Sequence, residues 1–73
     1  MKTQHFNLRG DQIELSALLK ATGLCESGGE AKAAIQTGTV LVDGEVETRR
    51  SKKIRAGQNV SLGENTIVVE SEK

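Results

Sequence analysis

The chain has no proline, tryptophan or tyrosine, and Phe6 is its only aromatic residue. Single-stranded nucleic acid is usually read by stacking bases on aromatic side chains, so the composition argues against that mode. Cys25 stands alone, which rules out an intramolecular disulfide and leaves packing alone to hold the fold, as suits a reducing cytoplasm. His5 is the only histidine and lies in an amino-terminal segment expected to fray. One His and one Cys make no convincing metal site, and Cys25 has no neighbour in sequence to lower its pKa beyond the start of a second helix. The Gly28-Gly29 pair lacks the surrounding pattern of a phosphate-cradling loop with its lysine. Neither catalysis nor a bound metal or cofactor is expected. No apolar run approaches the roughly 20 residues that span a bilayer, and no signal-like stretch follows Met1-Lys2-Thr3-Gln4-His5, so a cytoplasmic protein without membrane partners is expected.

What the chain does have is a concentrated charge. Five of its ten basic residues fall in the stretch 49–55, as Arg49, Arg50, Lys52, Lys53 and Arg55, with no acidic residue among them. The rest of the chain carries five basic and ten acidic side chains, so the formal net charge of zero conceals a dipole of charge. Such a surface suits a polyanion that docks on one face, and phosphates are the commonest partner of that kind.

The pattern along the 73 residues reads as one domain of the α+β class, 1–73, without linker or repeat. Phe6 and Leu8 alternate with Asn7 and Arg9, which predicts a short edge strand closed by Gly10-Asp11. Over residues 13–22, Leu15, Leu18 and Leu19 give a helix one apolar stripe, and Gly23 is placed to end it. Ser27 and Glu30 have the spacing of a capping box, which opens a second helix whose narrow stripe is Ala31, Ala34 and Ile35 and whose end is Gly38. Val40-Leu41-Val42 and residues 45–48 flank Asp43-Gly44, a strong signal for a tight hairpin. Turns at Gly57-Gln58 and at residues 63–65 introduce two more strands, residues 59–62 and 66–70, ahead of a charged tail. Two short helices packed against a small antiparallel sheet, with an extra N-terminal strand, are therefore expected.

Two elements carry the binding expectation. Ile54 can anchor in the core, so that Arg49, Arg50, Lys52, Lys53 and Arg55 project from a constrained loop. On the second helix, Lys32 shares a face with Gly28, Gly29 and Gln36, beside the free amide groups of the helix start, a natural phosphate site. Glycine there lets another backbone approach closely, although first-turn positions also tolerate glycine for no functional reason. A DNA-binding helix-turn-helix matches the two-helix outline, but its reading helix would offer Lys32 as its only basic residue and alanines where base-reading side chains belong. Phosphate and shape recognition of structured RNA fits better.

The order of helix, Gly23-Leu24, Ser27, Ala31-Lys32, Ile35, Gly38-Thr39-Val40, Val42-Asp43-Gly44, basic turn, Gly57-Gln58 and Val60 resembles the ribosomal protein S-four-like RNA-binding domain family, the alpha-L motif. The core of the resemblance covers residues 13–62. With the extra strand and this length, the chain looks like a stand-alone bacterial member. The resemblance implies RNA contacts from the start of the second helix and the basic hairpin region, here Ser27, Gly28, Lys32, Arg49, Arg50, Lys52, Lys53 and Arg55. Many members carry arginine directly after the serine, where this chain has Gly28, which shifts weight to the basic loop.

The expectation is thus a monomeric, non-enzymatic domain that binds structured RNA, ribosomal or transfer RNA, with the ribosome and RNA-modification factors as candidate partners in translation. Two other readings remain at this level. One is a protein-interaction module whose basic loop meets an acidic surface, and the other an accessory domain of an enzyme encoded separately.

Overall fold

The computed structural model describes residues 2–71; the tail residues Glu72 and Lys73 lie outside that range. Strand β1 (Lys2–Leu8) is followed by a two-residue strand β2 (Ile13–Glu14), helices α1 (Leu15–Ala21) and α2 (Gly28–Gln36), and then β3 (Val40–Val42), β4 (Glu45–Val46), β5 (Lys53–Ile54), β6 (Asn59–Leu62) and β7 (Asn65–Ser71). The main sheet has the order β1-β7-β6-β3-β4, and β2 pairs separately with β5. All its pairings are antiparallel except β1 with β7. The expected α+β class, with two packed helices, a largely antiparallel sheet and an added N-terminal strand at one edge, is the architecture observed.

The helices form where the apolar stripes place them. Leu15, Leu18 and Leu19 from α1 and Ala31 and Ile35 from α2 are fully buried with Val40, Ile54, Val60 and Ile67 of the strands. Cys25, 3% exposed, fills the turn between the helices as part of the same core. Gly38 takes φ +80°, and the amides of Gly38 and Thr39 close back on the carbonyls of Ile35 and Ala34, which terminates α2 in the manner of a Schellman cap. Asp43 and Gly44, at φ +52° and +85°, make the tight turn of the β3–β4 hairpin.

Three sequence expectations need correction. The first helix starts at Leu15 rather than at Ile13, because Ile13 and Glu14 are extended and pair with Ile54 and Lys53. A long-range pairing has overridden a local periodicity there. The second hairpin strand ends at Val46; the amide of Glu47 still reaches the carbonyl of Val40 at 3.0 Å, and the backbone then leaves the sheet. His5 does not lie in a frayed terminus. It sits within β1 opposite Val68, with its Nδ1 3.2 Å from a Glu70 carboxylate oxygen.

Candidate nucleic-acid interface

Between β4 and β5 the basic segment has no regular structure of its own, yet it is tied down at several points. Helix α1 has no side-chain cap, and the orphan amides of its first turn must find acceptors elsewhere. They find them in the basic segment: Leu15 N–H donates to the Lys52 carbonyl at 2.9 Å and Ser16 N–H to the Arg50 carbonyl at 3.2 Å. Ile54, fully buried, anchors the far end. At the near end a Glu47 carboxylate oxygen accepts from the Arg49 amide at 3.0 Å and from Arg49 Nε at 3.2 Å. The cations therefore project from a braced loop, not from a floppy tail.

Their electrostatic situations differ. Arg49 is paired with Glu47, and Lys53 Nζ lies 2.9 Å from Glu14 Oε2. Both carboxyls are held below the ordinary glutamate range. For Glu14 the main cause is the hydrogen bond from Lys53, followed by the charge of that ammonium. For Glu47 it is the hydrogen bond from the Arg49 side chain, followed by the one from the Arg49 amide. Among the described residues, the side chains of Arg50, Lys52 and Arg55 make no ion pair. Arg49, Ser51, Lys52, Lys53 and Arg55 line one concavity of about 380 Å³, so four of the five clustered cations face a common space.

The start of α2 is the second element. Ser27 Oγ accepts from the Glu30 amide at 3.2 Å, as a capping serine does. The reciprocal bond differs from a strict capping box, since the Glu30 carboxylate accepts from the Glu26 amide, one residue further back. Gly28 lies beside α1: it lines a groove of about 510 Å³ with Ser16, Ala17, Lys20 and Ala21, and a Cβ placed on it would lie 4.0 Å from Lys20 Cδ. Lys32 is exposed on α2 but lines neither concavity. The structure thus gathers Arg49, Lys52, Lys53 and Arg55 at one place and Gly28 at another. The bridge between them is Ser16, which lines the groove with Gly28 and donates its amide to Arg50.

Lys20 is a further residue of this groove. It lies off the apolar stripe of α1, and only the packing of α1 on α2 brings its side chain to Gly28, so no local signal could have nominated it. Burial, followed by the charge of Glu30, pushes the Cys25 thiol up, away from the thiolate form a nucleophile needs. Among the described residues no group of three or more His, Cys, Asp or Glu side chains is placed to hold a metal ion. Within the same residues no helix is long and apolar enough to cross a membrane.

Comparison with known proteins now bears directly on this arrangement. The model of the S4 domain family matches residues 6–70, from β1 through most of β7. The chain belongs to the S4 domain family. YbcJ of Escherichia coli (strain K12) is 53% identical over 57 residues, which cover 78% of this chain and 81% of YbcJ. The tyrosine–tRNA ligase of Ralstonia nicotianae is 42% identical over 50 residues, covering 68% of this chain but 13% of the ligase. The solution structure of E. coli YbcJ, described as revealing an αL motif involved in RNA binding, superposes with a TM-score of 0.65 at 46% identity, covering 96% of this chain and 87% of that one. The two helices and the sheet around the basic loop are therefore the fold of that αL motif.

Proposed function

We propose that this S4-family domain binds structured RNA through phosphate contacts made by the basic loop, without catalysis and without a cofactor. The observation that carries the reading is the bracing of that loop. Arg50, Lys52 and Arg55 have no carboxylate partner among the described residues, while their backbone is fixed by the α1 amides and by Ile54. A backbone held in place before binding leaves only the side chains to be ordered when a phosphate arrives. The family membership and the RNA-binding role described for YbcJ support the same assignment.

In this reading Arg50, Lys52 and Arg55 supply the principal charge, Arg49 and Lys53 add to it, and Ser27, Gly28 and Lys32 form a second contact at the start of α2. The scarcity of aromatic residues favours a folded RNA whose backbone is read by shape. The similarity to part of a tyrosine–tRNA ligase makes transfer RNA a natural candidate, beside ribosomal RNA. We place the protein in the cytoplasm as a monomer, where the ribosome and RNA-modification factors would be its neighbours. The test is direct titration of folded RNA at several salt concentrations. Binding that weakens steeply with salt supports the proposal, and a flat response refutes it.

A further inference from the structure

We infer that Glu14 is an internal competitor for RNA phosphate at Lys53, so that this cation joins the interface by exchanging one anion for another. The inference rests on the RNA-binding reading above and concerns how that site is tuned.

The two carboxylates that meet the basic loop are built differently. Glu47 has a side chain only 15% exposed and holds both the amide and the Nε of Arg49, so it is part of the loop's own structure. Glu14 has a single side-chain hydrogen bond among the described residues, the 2.9 Å pair with Lys53, and the two side chains are 49% and 47% exposed. An incoming phosphate can therefore reach the Lys53 ammonium and displace the carboxylate. Nor is the carboxylate needed to position Lys53. The β2–β5 register sets Glu14 opposite Lys53 and Ile13 opposite Ile54, and the buried Ile54 holds that pairing. The Glu14 carboxylate is thus preset on the cation by the backbone, and its effect on binding is to occupy Lys53.

Counterion accounting turns this into a measurable signature. A phosphate neutralised by a free cation releases its condensed counterion, and each such contact steepens the dependence of log affinity on log salt by about 0.7 to 0.9. Lys53 and Glu14 together carry no net charge, so a phosphate that meets the pair is neutralised only in part. Lys53 therefore adds less to the salt slope while Glu14 is present. Removing the Glu14 charge restores the full contribution.

The experiment is fluorescence titration of labelled bulk transfer RNA against the parent, Glu14→Gln, Lys53→Met and the double variant, each over a potassium chloride series, with the thermal midpoint of every variant recorded. Glu14→Gln is expected to bind about two- to fivefold more tightly at moderate salt, the range measured for exposed ion pairs, with a slope steeper by up to about 0.7 to 0.9. In the Lys53→Met background the Glu14 change should lose most of its effect on both quantities, leaving only the weaker influence of the carboxylate on the charge of Arg50. Parent that binds while Glu14→Gln binds equally or more weakly overturns the inference and leaves the RNA reading standing. A gain that persists undiminished without Lys53 also overturns it, because the carboxylate would then act through general charge. Parent and Glu14→Gln that both fail to bind folded RNA overturn the RNA reading together with the inference.

Discussion

The amide of Leu15 donates to the carbonyl of Lys52 at 2.9 Å. Leu15 is also fully buried, so this bond links the first core residue of α1 to the middle of the basic segment. The Ser16 to Arg50 bond repeats the link one residue on. A helix end left without a side-chain cap has its amides satisfied by the segment that carries the charge, and one arrangement solves both problems. The helix start gains acceptors, and the cations gain a fixed backbone.

Ile54 should therefore matter for both stability and binding. Ile54→Ala empties a fully buried position and is expected to lower stability by about 2 to 5 kcal/mol, the usual range for such truncations. RNA affinity should fall as well, even where the variant is still folded, because β5 would no longer hold the loop. Urea unfolding and RNA titration of the same sample test this. An unchanged unfolding midpoint would show that the position tolerates the cavity and that the anchor is elsewhere.

The loop cations should separate by their partners. Arg50→Ala, Lys52→Ala and Arg55→Ala each remove a cation with no carboxylate partner among the described residues, and each should reduce the salt slope by about 0.7 to 0.9. Since phosphate contacts carry no sequence information, each should weaken all structured RNAs by a similar factor. Lys53→Ala should alter the slope less, given its pairing with Glu14. Equal slope changes for Lys53 and Arg50 would contradict this division.

Acid should loosen the loop in a defined direction. Glu14 and Glu47 have folded-state pKa values lowered by Lys53 and Arg49. A carboxyl lowered by folding stabilises the native state fully above its unfolded value, and that contribution is lost as pH falls through the folded value. Stability should thus decline below the ordinary glutamate range, and the double variant Glu14→Gln, Glu47→Gln should show a shallower decline. The Glu14 pair is open to solvent and should contribute little of this difference, so most of it should come from the less exposed Glu47. Unfolding midpoints from pH 7 down to about pH 3 decide it, and parallel curves would show that other carboxyls dominate.

Much of this arrangement was legible in the sequence where the signal is local. The Leu15, Leu18 and Leu19 stripe, the Asp43-Gly44 turn and the Gly38 helix end each depend on residues a few positions apart, and each is where periodicity and turn chemistry place it. The five clustered cations and the buried Ile54 were visible for the same reason. What sequence did not show is long-range. The bond between Lys53 and Glu14 spans 39 positions, and a two-residue strand gives no periodicity to detect. The parallel docking of β1 on β7 joins the two ends of the chain, which is why His5 looked frayed. Lys20 meets Gly28 only through helix packing.

The start of α2 separates stability from contact. Ser27→Ala loses the bond to the Glu30 amide and should cost about 0.5 to 2 kcal/mol. Gly28→Ala should leave stability unchanged or slightly raise it, because Gly28 has no positive φ and a Cβ there meets nothing closer than 4.0 Å. If the glycine admits an RNA backbone, the added methyl should still weaken binding. Undiminished RNA affinity in Gly28→Ala would remove this position from the interface.

In the proposed binding mode, unpaired cations on a braced loop hold RNA phosphates. It is tested most directly by titrating a folded RNA across a salt series with the parent and with the triple variant Arg50→Ala, Lys52→Ala, Arg55→Ala. The parent should show a slope of log affinity against log salt of roughly −3, as for one phosphate neutralised by each of Arg50, Lys52, Arg55 and Lys32. The triple variant, with its thermal midpoint unchanged, should lose about two to three units of that slope and most of its affinity. A triple variant that binds RNA with the parent's affinity and slope would show that the loop is a solvated face and would contradict the account.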